Sequence, residues 1–144
     1  MSDIRVENDN TKEILTELEK AVKKALTDVG IEAVDNITSR GDFPADTGLL
    51  KNSITFAVSG ESPLISSYRA DKRRKGEDKV QTGSYQGTAP NDDQKAVYIG
   101  TNVEYAKYVE FGTSKMVARD FMNAPLKANF GHYKEIMEKH IKGL

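Results

Sequence analysis

Few side chains in this sequence have the type and spacing that chemistry requires. The chain has no cysteine and two histidines, and both histidines, His132 and His140, fall in one predicted helix. At 1.5 Å per residue they lie roughly 12 Å apart along the helix axis, which is too far for one metal ion to bind both. The sequence also lacks a Gly-x-Ser-x-Gly elbow and a Walker loop. We therefore expect no enzymatic activity, no cofactor, no metal and no small-molecule substrate.

The most concentrated charge is the basic run Lys72, Arg73, Arg74 and Lys75. It lies in a polar stretch, residues 69–79, that carries six basic and three acidic side chains. Four adjacent cations can bind phosphates, but such a run more often belongs to a solvated loop. Tyr68 and Tyr85 flank the run without lying in it, so no base-stacking platform is indicated. Contact with DNA and a simple solvated loop both remain open.

One carboxylate stands apart from those in the loops. Glu110 lies between Val109 and Phe111 at the end of a predicted short helix, where the helix dipole mildly disfavours a negative charge. Either it is an exposed helix-end acid, or another group compensates its charge. A partner across a subunit contact would be one such group.

Composition limits the class of protein. The chain has 144 residues, one domain's length, and 21 basic against 22 acidic residues give a net charge of −1. Binding to any polyanion usually needs a clear basic excess, so a general DNA- or membrane-binding protein is not indicated. No apolar run reaches the roughly 20 residues of a membrane span, and the charged N-terminus does not resemble a signal peptide. The lack of cysteine fits a reducing compartment.

The N-terminal part of the sequence predicts one long helix. Asn10 is a good N-cap with Glu13 three residues later, and the predicted helix ends near Arg40 and Gly41. Its apolar residues recur every three or four positions: Ile14, Leu18, Val22, Ala25, Val29, Ala33 and Ile37. Such a stripe needs a sheet or another helix to cover it. Residues 1–9 are expected to be flexible.

Two strands are predicted by alternation, around residues 54–59 and 96–101. Between them, residues 60–94 contain few large apolar side chains. A structureless connection of that length is uncommon in a compact domain. We therefore expect a long loop or a hairpin insert that is either mobile in the monomer or ordered by a partner.

The C-terminal third is predicted to be helical. Asn102 can cap a short helix over residues 103–111, which Gly112 would end through a left-handed conformation. Asn123 can cap a last helix, with Pro125 in its first turn. The predicted fold is a single α+β domain, residues 1–144, in which the long N-terminal helix and the C-terminal helix pack on a small, mostly antiparallel sheet, with a short helix and a long mobile loop between.

Several blocks of the sequence resemble the gene-product-ten tail-component family of lambdoid siphophages. The family carries a strand ending in Gly, a Tyr-Ala-x-x-x-Glu-x-Gly-Thr block, an Arg-Pro-Phe block that opens the last helix, and an upstream Thr-Gly-x-Leu-x-x-Ser-Ile block. In this chain they correspond to residues 97–101, 105–113, 118–126 and 46–54. The departures are Asp120, where the family usually has Pro, and the long basic insert, whose role cannot be carried over.

The resemblance identifies candidate interface or fold-motif residues. They are Thr47, Gly48, Leu50, Tyr105, Ala106, Glu110, Phe111, Gly112, Thr113, Arg119 and Phe121. Thr47 and Gly48 offer a hydroxyl cap and a positive-φ turn, and Thr113 is expected to satisfy groups freed at the helix end. Arg119 beside Phe121 is a common interface pairing, although core packing is the more frequent role for Tyr105 and Phe121.

The resemblance implies a non-enzymatic structural protein of a tailed phage or prophage. It would be a neck or tail-completion component in head–tail joining or tail assembly. Its partners would be other neck or tail proteins and copies of itself in a ring, without a membrane. It would be located in the virion and assembled in the host bacterial cytoplasm. The alternative is a DNA-contacting accessory module that uses the basic loop 69–79.

Overall fold

The computed structural model describes residues 11–41, 43, 48–59, 64–87 and 95–143. The predicted flexible N-terminus, the cap at Asn10 and the candidate residue Thr47 lie outside these residues. The elements in chain order are α1 (Thr11–Thr38), α2 (Leu49–Ser53), β1 (Thr55–Val58), β2 (Leu64–Arg69), β3 (Thr82–Gly87), β4 (Val97–Gly100), α3 (Ala106–Phe111), α4 (Asn123–Ala128) and α5 (Phe130–Lys142). The prediction of an α+β fold with a long N-terminal helix is confirmed.

The strands form two antiparallel pairs in the described part of the chain. β1 pairs with β4, with Phe56 opposite Ile99. β2 pairs with β3 from Leu64 opposite Gly87 to Arg69 opposite Thr82, so a hairpin lies within the stretch 60–94. The basic run occupies the connection between β2 and β3, at the tip of this hairpin.

The long helix α1 packs against the β1–β4 pair and against α4 and α5. A Cβ atom at Gly30 would lie 2.6 Å from Cγ of Phe56, so the absence of a side chain lets the Phe56 ring pack against the helix. On another face, the Tyr133 hydroxyl of α5 donates a 2.7 Å hydrogen bond to Oδ1 of Asn36. Gly30 therefore costs helix propensity but gains a close helix–sheet contact.

The two histidines of α5 contact carboxylates of α1. Nε2 of His140 lies 2.6 Å from Oδ2 of Asp28, and Nε2 of His132 lies 3.5 Å from Oε1 of Glu32. Both contacts tie α5 antiparallel to α1. Among the residues that the structure describes, no cluster of acidic and histidine side chains could hold a metal ion.

The core joins the upstream and downstream blocks of the sequence. One cluster of buried residues combines Ile37, Phe43, Leu50, Ile54, Ala106 and Phe121. The Phe43 and Phe121 rings meet edge to face, with centroids 5.4 Å apart and planes at 73°. A second cluster joins Val29 and Ala33 of α1 to Tyr133 of α5.

Three details of the predicted helices are wrong. The helix α2 was not predicted. α3 begins at Ala106 after Tyr105, so Asn102 does not cap it; the Asn102 side chain instead accepts a hydrogen bond from the Tyr68 hydroxyl and donates to the carbonyl of Ser84. Met122, not Asn123, is at the N-cap of α4.

The predicted last helix is interrupted once. Asn129, at φ −107° and ψ 10°, separates α4 from α5. Its side-chain Nδ2 donates a 2.8 Å hydrogen bond to the carbonyl of Pro125, the local bonding by which Asn competes with regular helix. No helix in the described ranges is long and apolar enough to cross a bilayer.

Candidate functional site

The segment from Tyr105 to Leu126, which carries most of the candidate residues, folds around the end of α3 and the start of α4. α3 ends at Gly112, whose N–H donates to the carbonyl of Tyr108 over 2.8 Å. Gly112 has φ 78°, and a Cβ there would lie 2.7 Å from the backbone nitrogen of Ala118. Gly112 therefore ends α3 with a positive φ, as predicted, but its ψ of 175° lies outside the left-handed helical conformation. Both its φ and its surroundings favour glycine.

The chain after Gly112 returns to the end of α3. Thr113 and Met116 form an isolated antiparallel bridge, in which the Thr113 N–H donates to the Met116 carbonyl over 2.9 Å. The Arg119 N–H then donates to the carbonyl of Val109 over 2.7 Å. It was expected that Thr113 would satisfy the helix-end groups, but its hydroxyl accepts from the Lys115 N–H and the Arg119 backbone satisfies the carbonyl of Val109.

The Glu110 side chain connects the end of α3 to the start of α4, at Met122 and Asn123, and we call this contact the Glu110 joint. Its Oε2 accepts a 3.1 Å hydrogen bond from the Met122 N–H, and its Oε1 accepts a 3.3 Å bond from the Asn123 N–H. Oδ1 of Asp120 accepts a further 3.0 Å bond from the Ala124 N–H. Two carboxyl groups thus satisfy three of the backbone donors that begin α4. The group that compensates the Glu110 charge within one chain is the start of the next helix.

The two carboxyl groups also share a hydrogen bond with each other. Burial raises the pKa of Glu110, and the hydrogen bond with Asp120 raises it further, which outweighs the N–H donors that lower it. The same hydrogen bond lowers the pKa of Asp120. When the pair carries a single proton, these shifts favour Glu110 as its carrier and Asp120 as the acceptor.

A groove lies beside this joint, between α3 and α4. Its volume is 550 Å³, and its lining includes Ala106, Lys107, Glu110, Phe111, Met122 and Leu126. Phe111 stands at the rim with 79% of its surface exposed, whereas Phe121 is buried to 5%. Core packing explains Phe121, as expected, and Tyr105 is more exposed than a core residue at 36%.

The upstream block holds the hairpin against α2. Gly48 has φ 86° and precedes α2, and a Cβ there would lie 2.8 Å from Cγ of Asp71. The Asn52 side chain donates to Oδ1 of Asp71 over 2.9 Å and to the carbonyl of Arg69 over 2.7 Å. Leu50, on α2, is buried in the cluster that includes Ala106 and Phe121. The two sequence blocks thus meet through Leu50.

The four candidate cations Lys72, Arg73, Arg74 and Lys75 are all exposed. A turn at the hairpin tip, with the Glu77 N–H bonded to the Arg74 carbonyl and Gly76 at φ 92°, presents them to solvent. No salt bridge to them is formed by the residues that the structure describes. The structure does not bring them into the α3–α4 groove.

Sequence reasoning missed two site residues. Asp120 was noted only as a departure from the family pattern, although an Asp shortly before a predicted helix is an N-cap signal that could have revealed its role. Asn52 carries no comparable signal, since its partners lie 17 and 19 residues later in the chain.

Comparison with known proteins places the chain in a family. Residues 6–112 match the family model described as "Bacteriophage HK97-gp10, putative tail-component". Neither the curated proteins nor the solved structures include a match. The matched residues span about three quarters of the chain and include α1, the strands and α3 up to Gly112, whereas Arg119 and Phe121 lie beyond them. The chain therefore belongs to the HK97-gp10 family of bacteriophage tail components.

Proposed function

We propose that the chain is a non-enzymatic neck or tail-completion component that acts in head–tail joining or tail assembly. Membership of the family supports a role in the phage tail, and the exposed surface of the chain supports a role in binding other proteins. The observation that carries the proposal is an exposed apolar patch on α3 and the turn after it. Tyr108, Phe111, Met116 and Val117 are exposed at 47%, 79%, 41% and 84%. These four exposed apolar side chains lie within ten residues of one another in the sequence, and exposed apolar surface beyond scattered single residues marks protein contacts.

The partners are other neck or tail proteins and copies of the same chain in a ring. The apolar patch belongs to the same segment as the Glu110 joint, so α3 and α4 hold it on a fixed frame. A fixed frame lowers the ordering cost of assembly. Assembly takes place in the host bacterial cytoplasm, and the protein is then located in the virion.

Deletion of the gene from its phage or prophage tests this function. Electron microscopy of induced lysates should show heads and tails that are not joined, or tails whose ends are abnormal. A plasmid copy of the gene should restore joined particles. A wild-type copy is the positive control for this rescue. A Phe121→Ala copy, which disturbs the core, is the negative control. Normal, infectious particles without the gene would refute the proposal.

A second candidate function is contact with phage DNA through the hairpin tip. Four exposed, adjacent cations favour it. Four phosphate contacts should give a slope of log K against log salt of roughly −3.6, at about −0.9 per contact. Replacement of Lys72, Arg73, Arg74 and Lys75 by alanine should remove most of that slope. The matched control replaces four exposed lysines of α4 and α5 by alanine: Lys127, Lys134, Lys139 and Lys142. Equal losses in both variants, or no binding at low salt, would exclude a dedicated DNA contact.

A further inference from the structure

The start of α1 has an apolar stripe that nothing in the described chain covers. All residues from Thr11 to Lys20 are exposed, and Ile14, Leu15 and Leu18 expose 55%, 54% and 37% of their surface. At 100° per residue these three side chains share one face of the helix. The same face, further along α1, is buried against the sheet and α5. The stripe is therefore core-like in sequence, but none of the residues that the structure describes covers it.

The α3–α4 groove lies near the opposite end of α1. Met122 and Leu126, which line the groove, pack against the cluster that contains Ile37. From Ile14 to Ile37 is a distance of roughly 35 Å along a continuous helix, at 1.5 Å per residue. The stripe of a copy therefore cannot reach the groove of the same copy. Contact between these two surfaces requires two copies of the chain.

The charges beside the two surfaces are complementary. The nearest charged residue on each side of the stripe is a glutamate, Glu17 on one side and Glu19 on the other, at 100° per residue. Around the groove and the adjoining turn, three exposed cations, Lys107, Lys115 and Arg119, outnumber the two exposed acids, Glu104 and Asp120. The groove itself is mainly apolar. An amphipathic helix laid in an apolar groove is a recurrent docking mode.

We propose that Ile14, Leu15 and Leu18 of one copy bind in the α3–α4 groove of the next copy. The contact is heterologous, because two different surfaces meet, and such contacts repeat into a closed ring or an open filament. The proposal rests on the proposed function, since it supplies the contact between subunits of the ring. It assigns the exposed Phe111 at the groove rim to this subunit contact.

Cysteine cross-linking tests the contact directly, because the natural chain has no cysteine. A chain carrying both Leu15→Cys and Phe111→Cys should give a ladder of covalent oligomers on mild oxidation at high protein concentration. The separation along α1 prevents a disulfide within one copy. Both positions are largely exposed, at 54% and 79%, so the substitutions leave the core intact, and circular dichroism checks the fold.

The matched control pairs Ile31→Cys with Phe111→Cys, since Ile31 lies on the same helix with a similar exposure of 56%. We expect roughly tenfold more cross-linked product from the Leu15 pair than from the Ile31 pair, which is the ratio that about 1.4 kcal/mol produces. Equal yields from both pairs, or no ladder from the Leu15 pair, would overturn the proposal.

A second readout separates this contact from the proposed function. In the phage that lacks the gene, a Leu15→Asp copy should fail to restore joined particles, while an Ile31→Asp copy should restore them. Full rescue by Leu15→Asp would refute the subunit contact and leave the tail function standing. Normal particles without any copy would refute the tail function, whatever the cross-linking shows.

Discussion

Substitution of Glu110 should change the stability of the fold, and the direction of the change should depend on the residue that replaces it. Glu110→Ala removes the acceptor for the N–H groups of Met122 and Asn123, and loss of an N-cap costs about 1 kcal/mol, within a range of about 0.5–2. Glu110→Gln keeps one oxygen for those donors and replaces the acid proton by an amide N–H that can donate to Asp120. We expect the alanine variant to be less stable at pH 7, and the glutamine variant to equal or exceed the wild type.

The pH dependence follows from the two pKa shifts. Folding raises the pKa of Glu110 above its ordinary value of 4.5, so its contribution is complete below pH 4.5 and is lost as the pH rises through the folded pKa. Folding lowers the pKa of Asp120 below 3.8, so its contribution is complete above pH 3.8 and is lost as the pH falls through the folded pKa. The hydrogen bond between the acids therefore stabilises the fold most between these two values.

The glutamine variant imitates the protonated acid at every pH. It should resemble the wild type near pH 4.5 and lose the dependence on pH above that value. The alanine variant should lose more stability at pH 4.5 than at pH 7, because the acid pair is lost together with the cap.

Urea unfolding measures both variants at pH 4.5 and pH 7. Far-UV circular dichroism is the suitable signal, because the chain has no tryptophan. A loss of about 1 kcal/mol also corresponds to a fall in melting temperature of about 3 °C for a domain of this size. If the glutamine variant is as unstable at pH 7 as the alanine variant, the ionised carboxylate alone holds α4 and the acid pair contributes nothing.

Three further substitutions test the packing, each by urea unfolding. Gly30→Ala should destabilise the fold, because crowding against the Phe56 ring costs about 1–3 kcal/mol, whereas the gain in helix propensity is about 1 kcal/mol. A variant more stable than the wild type would show that the Phe56 ring can move aside. Gly112→Ala should cost about 1–3 kcal/mol through its positive φ and the nearby backbone, and wild-type stability would contradict that strain. Phe121→Ala should cost about 3–5 kcal/mol, whereas Phe111→Ala should change stability by less than about 0.5; similar values for the two would contradict their burial.

The parts of the fold that the sequence predicted are those with local, periodic signals. The stripe from Ile14 to Ile37 predicted α1, and alternation predicted β1 and β4, because burial of one face imposes the period of the element. Gly112 was identified as the end of α3, since a positive φ strongly favours glycine. Each of these signals lies within one element.

The joint itself could not be predicted in the same way. Glu110 bonds to N–H groups 12 and 13 residues later, and nothing in the spacing indicates that the chain returns there. The role of Asn102 depends on a side-chain bond with the Tyr68 hydroxyl, which tertiary structure brings near. The break at Asn129 depends on a local side-chain bond to the carbonyl of Pro125. These polar contacts are individually worth about 1 kcal/mol, too little to leave a pattern in sequence but enough to set element boundaries.

Asp120 connects the departure from the family pattern to the behaviour of this chain. Proline, which the family usually has there, would fix φ ahead of the helix. Its side chain, however, could neither donate nor accept a hydrogen bond. Asp120 instead accepts from the Ala124 N–H and from the Glu110 carboxyl. The frame that carries Phe111 and the groove is thus held in this chain by an acid pair whose strength changes with pH. Glu110, one member of this pair, also lines the groove where the next copy is proposed to bind.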